Sequence, residues 1–158
     1  TVLWVQTTAT GALEHWANHH KHMLTTDRVD KRLTQLNEAH DGFKVYPKLE
    51  ALPGDLRVKK IKYSAFIPGS SDIDAQLKSR GIDTLLITGT VTNVCCESTA
   101  RDAMMLDYRV IMVSDGNASL TDAEHAASLN NFLIFFGDEM TTDEAAARLV
   151  PAEQRKTA

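Results

Sequence analysis

The side chains best suited to chemistry here are two adjacent thiols, a lysine ending a strand-like run, and a set of histidines. Cys95 and Cys96 lie in Gly89-Thr-Val-Thr-Asn-Val-Cys-Cys-Glu-Ser-Thr-Ala-Arg-Asp-Ala103. A thiol is a nucleophile as its thiolate. The start of a helix favours that form through unpaired N–H groups and a partial positive charge. The same N–H groups suit an oxyanion. A small cysteine that only packs is the competing reading. One residue along a helix turns the side chain by about 100°, so Cys95 and Cys96 cannot face the same pocket. His15, His19 and His22 fall on one helical face at spacings of four and three. That spacing can hold a metal, but a solvated or site-lining face is the simpler reading, and no metal is assigned.

The elements around these residues follow from pattern. Thr84-Leu-Leu-Ile-Thr88 is a short apolar, β-branched run behind a turn at Gly81, which predicts a strand buried on both faces of a parallel sheet. Ala100, Ala103, Met104 and Leu106 recur at helical spacing after it, so Cys95 sits where a strand ends and a helix begins. In open α/β sheets that rim is where ligands bind. Arg57-Val-Lys-Lys60 reads as a short strand, with Lys59 and Lys62 pointing away from Lys60 by alternation. Ser70–Asp74 starts a helix through Ile73 and Leu77, and Arg109–Ser114 is the strand after the cysteine helix. Asp115 at its end is expected to cap the turn at Gly116-Asn117. Thr121-Asp-Ala-Glu124 is a capping-box-like start for a helix with Ala126, Leu129, Phe132, Leu133 and Phe136 as its apolar stripe, stopped by Gly137. A last helix runs from Thr142 to Leu149, and Pro151 marks a frayed tail.

The first half is less patterned. Val2-Leu-Trp-Val5 predicts a strand at the very start, in which Trp4 belongs to the core or a sheet edge. A helical turn or two is expected between Leu13 and Leu24. Val29, Leu33 and Leu36 suggest a short amphipathic helix ending near Gly42, and a long connection with Pro47 and Pro53 leads to Leu56.

The segment around Cys95 closely resembles the nucleophile segment of the isochorismatase-like cysteine hydrolases. Lys60-Ile-Lys-Tyr-Ser-Ala-Phe66 is similar to the family segment that carries a catalytic lysine, and Val110-Ile-Met-Val-Ser-Asp115 to the strand after the nucleophile helix. The resemblance implies an α/β fold, a three-layer Rossmann-like parallel sheet flanked by helices. It implies Cys95 as nucleophile and Lys60 as its electrostatic partner. It also implies a cis peptide bond between Thr90 and Val91, and an oxyanion hole from the N–H groups of Val91 and Cys95. Tyr63 and Phe66 would contact a small planar acyl group, unless they are core. The implied reaction is hydrolysis of a non-peptide C–N bond in a small amide or ureide, through a thioester and without a cofactor. The family's first strand, which carries the general-base aspartate, has no counterpart here, so the expected sheet lacks that strand. Two other readings stay open: a catalytically impaired binding protein, and a vinyl-ether hydrolase of the isochorismatase type.

The remaining expectations come from size and composition. A chain of 158 residues fits a single domain, 1–158, N-terminally incomplete by the resemblance. Hydrophobic content of 43% and charged content of 24% are ordinary for a soluble globular protein. A net charge of −4 argues against nucleic acid as a partner, and no apolar run approaches the ~20 residues that span a bilayer. Two neighbouring cysteines cannot staple distant segments, which suggests a reduced, cytoplasmic setting. The resemblance adds a homo-oligomer acting on a small molecule.

Overall fold

The computed structural model describes residues 1–149. The expected tail around Pro151 lies outside them. The chain divides into two compact units, Thr1–Leu77 and the remainder from Lys78 onward. The architecture is α/β with parallel strands, as the strand and helix patterns predict.

In the first unit, strands β1 (Leu3–Thr7) and β2 (Leu56–Lys60) pair in parallel, from Leu3 opposite Leu56 to Thr7 opposite Lys60. The predicted strand at residues 2–5 thus begins one residue later and runs further. Alternation works on β2 as expected: Val58 and Lys60 are buried, while Arg57 and Lys59 face out. Trp4 is half-buried and donates from Nε1 to Asp55 Oδ2 at 2.8 Å. Helix α1 (Ala12–His15) is followed by a π-helical turn, His19–Met23, and by α2 (Thr26–Gln35). Helix α2 stops at Leu36 and not near Gly42, which belongs to a separate 3₁₀ turn, Asp41–Phe43. Helix α3 (Ile73–Lys78) buries Ile73 and Leu77, and Ser71 Oγ accepts from Ile73 N at its start.

The expected single face of His15, His19 and His22 does not form. His19 and His20 are buried, whereas His15 and His22 are exposed. The π-helical turn is the reason. It winds more residues per turn than the α-helix on which the spacing was read, so the face moves by one position.

In the second unit, β3 (Thr84–Thr90), β4 (Arg109–Ala118) and β5 (Asp138–Met140) form a parallel sheet in that order. Helix α4 (Glu97–Met105) connects β3 to β4, α5 (Asp122–Phe135) connects β4 to β5, and α6 (Thr142–Arg148) follows. The core holds Ala100, Ala103, Val110, Met112, Val113, Leu129 and Phe132. Strand β3 is not buried on both faces as predicted: among the described residues it pairs only with β4, and none of its residues is fully buried.

Strand β4 is longer than predicted and does not turn at Gly116. Its register with β3 jumps from Ile87–Met112 to Gly89–Asn117, so a bulge carries the strand to Ala118. Gly116 lies so close to Thr88 and Val113 that a Cβ there would sit about 3.0 Å from a Val113 methyl. Asn117 Nδ2 spans the bulge, donating to Ile87 O at 2.9 Å and Val113 O at 2.7 Å. Asp115 therefore does not cap a turn at Gly116-Asn117. Its Oδ1 accepts from Thr142 N at 2.7 Å and Thr142 Oγ1 at 2.8 Å, fastening the start of α6 to β4. These hydrogen bonds, the side-chain one first, hold its carboxyl below the usual range.

Thr121 does begin α5, accepting from Glu124 N, and a full capping box forms at Thr141 and Glu144. The stripe on α5 is narrower than predicted. Leu129 and Phe132 are buried with Ser128, but Ala126 and Leu133 face solvent. Gly137 is required after α5, because a Cβ would sit 2.4 Å from Val110 O.

Candidate active site

The strand-to-helix connection at Cys95 is built from backbone geometry first. Gly89 takes φ +129°, a conformation that side-chain-bearing residues rarely adopt. The next peptide bond but one, Thr90–Val91, is cis. Val91 O then accepts from Val94 N at 3.1 Å and Cys96 N at 3.3 Å. That closes a π-helical turn, Thr92–Cys96, running directly into α4. π-helical turns inside helices occur often at functional sites.

The turn separates the two thiols. Cys96 is 6% exposed and lies behind Gly89, where a Cβ would be 3.8 Å from its Sγ. Cys95 is half-buried. Thr90, Val91 and Cys95 thus come together within one turn of the second unit.

The residues that brace this turn carry no signal in the linear chain. Thr92 is fully buried, and its Oγ1 lies 2.8 Å from His125 Nδ1 on α5. Ser119 Oγ donates to Asn93 Oδ1 at 3.0 Å. Glu97, at the start of α4, accepts from Arg101 and from Ser128 Oγ on α5, the latter at 2.6 Å. Arg101 also lies 3.9 Å from the centre of the Phe136 ring. His125 is 33 residues from Thr92, and no periodicity links positions that far apart.

The other expected site residues belong to the first unit. Lys60 is 5% exposed, at the C-terminal end of β2, and its Nζ donates to Lys62 O at 2.9 Å. Its backbone carbonyl accepts from Thr8 N, which locks the ends of β1 and β2 together. Lys59 and Lys62 do point elsewhere: Lys59 pairs with Glu38 at 2.7 Å, and Lys62 donates to Pro68 O at 2.9 Å. Tyr63 is 36% exposed and meets Trp16 edge-on, with ring centres 4.7 Å apart. Phe66 is buried. A cleft in this unit is lined by Gln6, Phe43, Lys44, Arg57, Lys59 and Gln76, among others, and contains none of the expected site residues.

Comparison with known proteins adds the context. Residues 1–144 match the isochorismatase domain. The ureidoacrylate amidohydrolase RutB of Variovorax paradoxus is 36% identical over 137 residues, 85% of this chain and 54% of that protein. The isochorismatase family protein YwoC of Bacillus subtilis is 38% identical over 104 residues, 66% of this chain and 54% of that protein. The crystal structure of a cysteine hydrolase from Pseudomonas syringae pv. phaseolicola superposes with a TM-score of 0.82 at 30% identity, covering 94% of this chain and 71% of that one. The chain spans about half the length of these two curated relatives. With a domain match over most of its residues, this chain belongs to the isochorismatase-like hydrolase family.

Proposed function

We propose that the whole protein is a cysteine-dependent amidohydrolase acting on a small amide or ureide. What carries the reading is the pair of thiols: Cys95 is half-buried on the turn after the cis Thr90–Val91 bond, while Cys96 is packed inside. Relatives named as amidohydrolases support the same class.

In the proposed reaction, the Cys95 thiolate attacks the carbonyl carbon. The N–H groups of Val91 and Cys95 receive the oxyanion, and the Lys60 ammonium stabilises the thiolate and orients the acyl group. The C–N bond breaks, the nitrogen leaves with a proton, and the acyl group stays as a thioester on Cys95. Water then attacks the thioester, releasing the acid and restoring the thiol. The family's aspartate would carry the proton between thiol, amine and water. No residue of 1–158 is assigned that role. We infer further that the whole protein works as a homo-oligomer.

The test is ammonia release from ureides and small primary amides by the whole protein. Cys95→Ala should abolish release, and Cys96→Ala should leave most of it. Tight binding without turnover in the unmodified protein would contradict the enzyme reading.

A further inference from the structure

Helix α5 is apolar on more than its packed side. It carries no Asp, Glu, Lys or Arg from His125 to its stop at Gly137. Ser128, Leu129 and Phe132 are buried, but Leu133, Ile134 and Phe135 are exposed. As three consecutive residues they sweep about 200° around the last turn of the helix. Helix α4 packs beside α5 in the same unit. Glu97 accepts from Ser128 Oγ, and Arg101 donates to Asn131 Oδ1. One further step of four residues along these facing stripes leads to Met105 on α4 and Phe135 on α5, at the same end of the pair. Met105 and its neighbour Leu106 are exposed there. Arg101 leaves no free charge between the helices, because Glu97 and Asn131 hold it and its guanidinium lies 3.9 Å from the centre of the Phe136 ring.

A helix that is apolar all round belongs in a buried setting. The five side chains are between 40% and 69% exposed. At on the order of 100 Å² each, they present about 500 Å² of apolar surface. A stable interface buries about 800 Å² per partner, and about 65% of a homodimer interface is apolar, so the patch has the apolar area that one side needs. Aromatic, methionine and aliphatic side chains without charge are also the composition of an interface core. Residues 150–158 hold Val150 as their one large aliphatic side chain, beside the charged Glu153, Arg155 and Lys156, which is too little to cover five. Charge selects among larger partners. A charged partner is met by opposite charges, and this patch offers none. In a twofold contact the patch faces itself, so a net charge on it would repel its own copy. Two copies of a chain of net charge −4 need an uncharged face to meet.

We propose that the adjoining ends of α4 and α5, with Met105, Leu106, Leu133, Ile134 and Phe135, form a twofold interface with a second copy of this chain. This surface rests on the homo-oligomer reading and deepens it by naming the residues that meet. Ile134 and Phe135 stand in the middle of the patch, between Leu133 and Met105, and carry most of the association.

The test is sedimentation velocity of the whole protein over a range of concentrations, with melting curves measured alongside. The unmodified protein should associate. Ile134→Glu and Phe135→Glu should each weaken the association by at least about thirtyfold, the scale of losing a central interface side chain, and leave a monomer with a cooperative melt. Both positions are exposed in the single chain, so the fold tolerates the change. Ile134→Gln, which adds no charge, should act in the same direction and less strongly. Leu120→Glu is the control. Leu120 is 86% exposed and lies about 20 Å from Ile134 along the helix axis, so association should be unchanged. Association that persists in both Ile134→Glu and Phe135→Glu would overturn this surface and leave the homo-oligomer reading standing. A whole protein that is monomeric at every concentration would overturn both. Equal weakening by Leu120→Glu would also overturn the assignment to the ends of α4 and α5.

Discussion

Each unit carries a π-helical turn beyond the end of a parallel strand, and the two are finished in opposite ways. Around Thr92–Cys96 the buried hydroxyl of Thr92 is held by His125, Asn93 by Ser119, and the first residue of α4 by Ser128. Around His19–Met23 two buried imidazole nitrogens, His19 Nδ1 and His20 Nε2, have no partner among the described residues. The first arrangement fixes a backbone, which a nucleophile and its oxyanion donors need, since an error of 1 Å in a reacting geometry costs about a hundredfold in rate. The second keeps hydrogen-bonding capacity in reserve.

The largest effect is expected at Lys60, at the end of β2 in the first unit. Lys60→Ala should reduce kcat for ammonia release by about 10²–10³-fold, on the scale of losing one preorganised electrostatic group, with the circular dichroism spectrum unchanged. A loss of only a few-fold would assign Lys60 to structure. His125→Ala comes next. It leaves the buried Thr92 hydroxyl without this partner, at a cost of about 1–3 kcal/mol in stability. As a positioning residue, His125 should show its loss mainly in kcat, by about tenfold, with KM nearly constant and His125→Asn partly restoring the rate. Equal changes in kcat and KM would place its effect in binding.

A smaller effect is expected at α6. The folded state lowers the pKa of Asp115 from its ordinary 3.8 through hydrogen bonds from Thr142. A lowered carboxylate contributes stability that is present above pH 3.8 and is lost as pH falls through the folded value. Asp115→Ala should therefore flatten the acid-side decline in melting temperature below about pH 4, with little change in ammonia release. A change in release as large as that of His125→Ala would move Asp115 from capping to chemistry.

The contrast between the turns also marks what a linear reading can see. Strand β3 and most of β4 were legible because their apolar residues lie side by side in the chain, β2 because its alternation buries Val58 and Lys60 and exposes Arg57 and Lys59, and Thr121 as a cap. The place of Cys95 between a strand and a helix was legible because the motif around it is local. The π-helical turns were not, since one extra residue per turn is invisible until the hydrogen bonds form, and this is why His20 replaced His22 on the buried face. Nor was the run of β4 through Gly116-Asn117, a pair that usually means a turn. It continues as strand because the Asn117 amide bridges two carbonyls brought together only by the sheet. The Thr92–His125 brace depends on tertiary packing and has no local signature.

The most direct test of the central claim is to follow activity against modification of each thiol. The whole protein is alkylated briefly near neutral pH, ammonia release is measured at each time, and peptide fragmentation assigns the label to Cys95 or Cys96. Cys95 should be labelled first, with residual activity falling in proportion to its labelling, while Cys96 stays unmodified. Activity that tracks Cys96, or that survives full modification of Cys95, would contradict it.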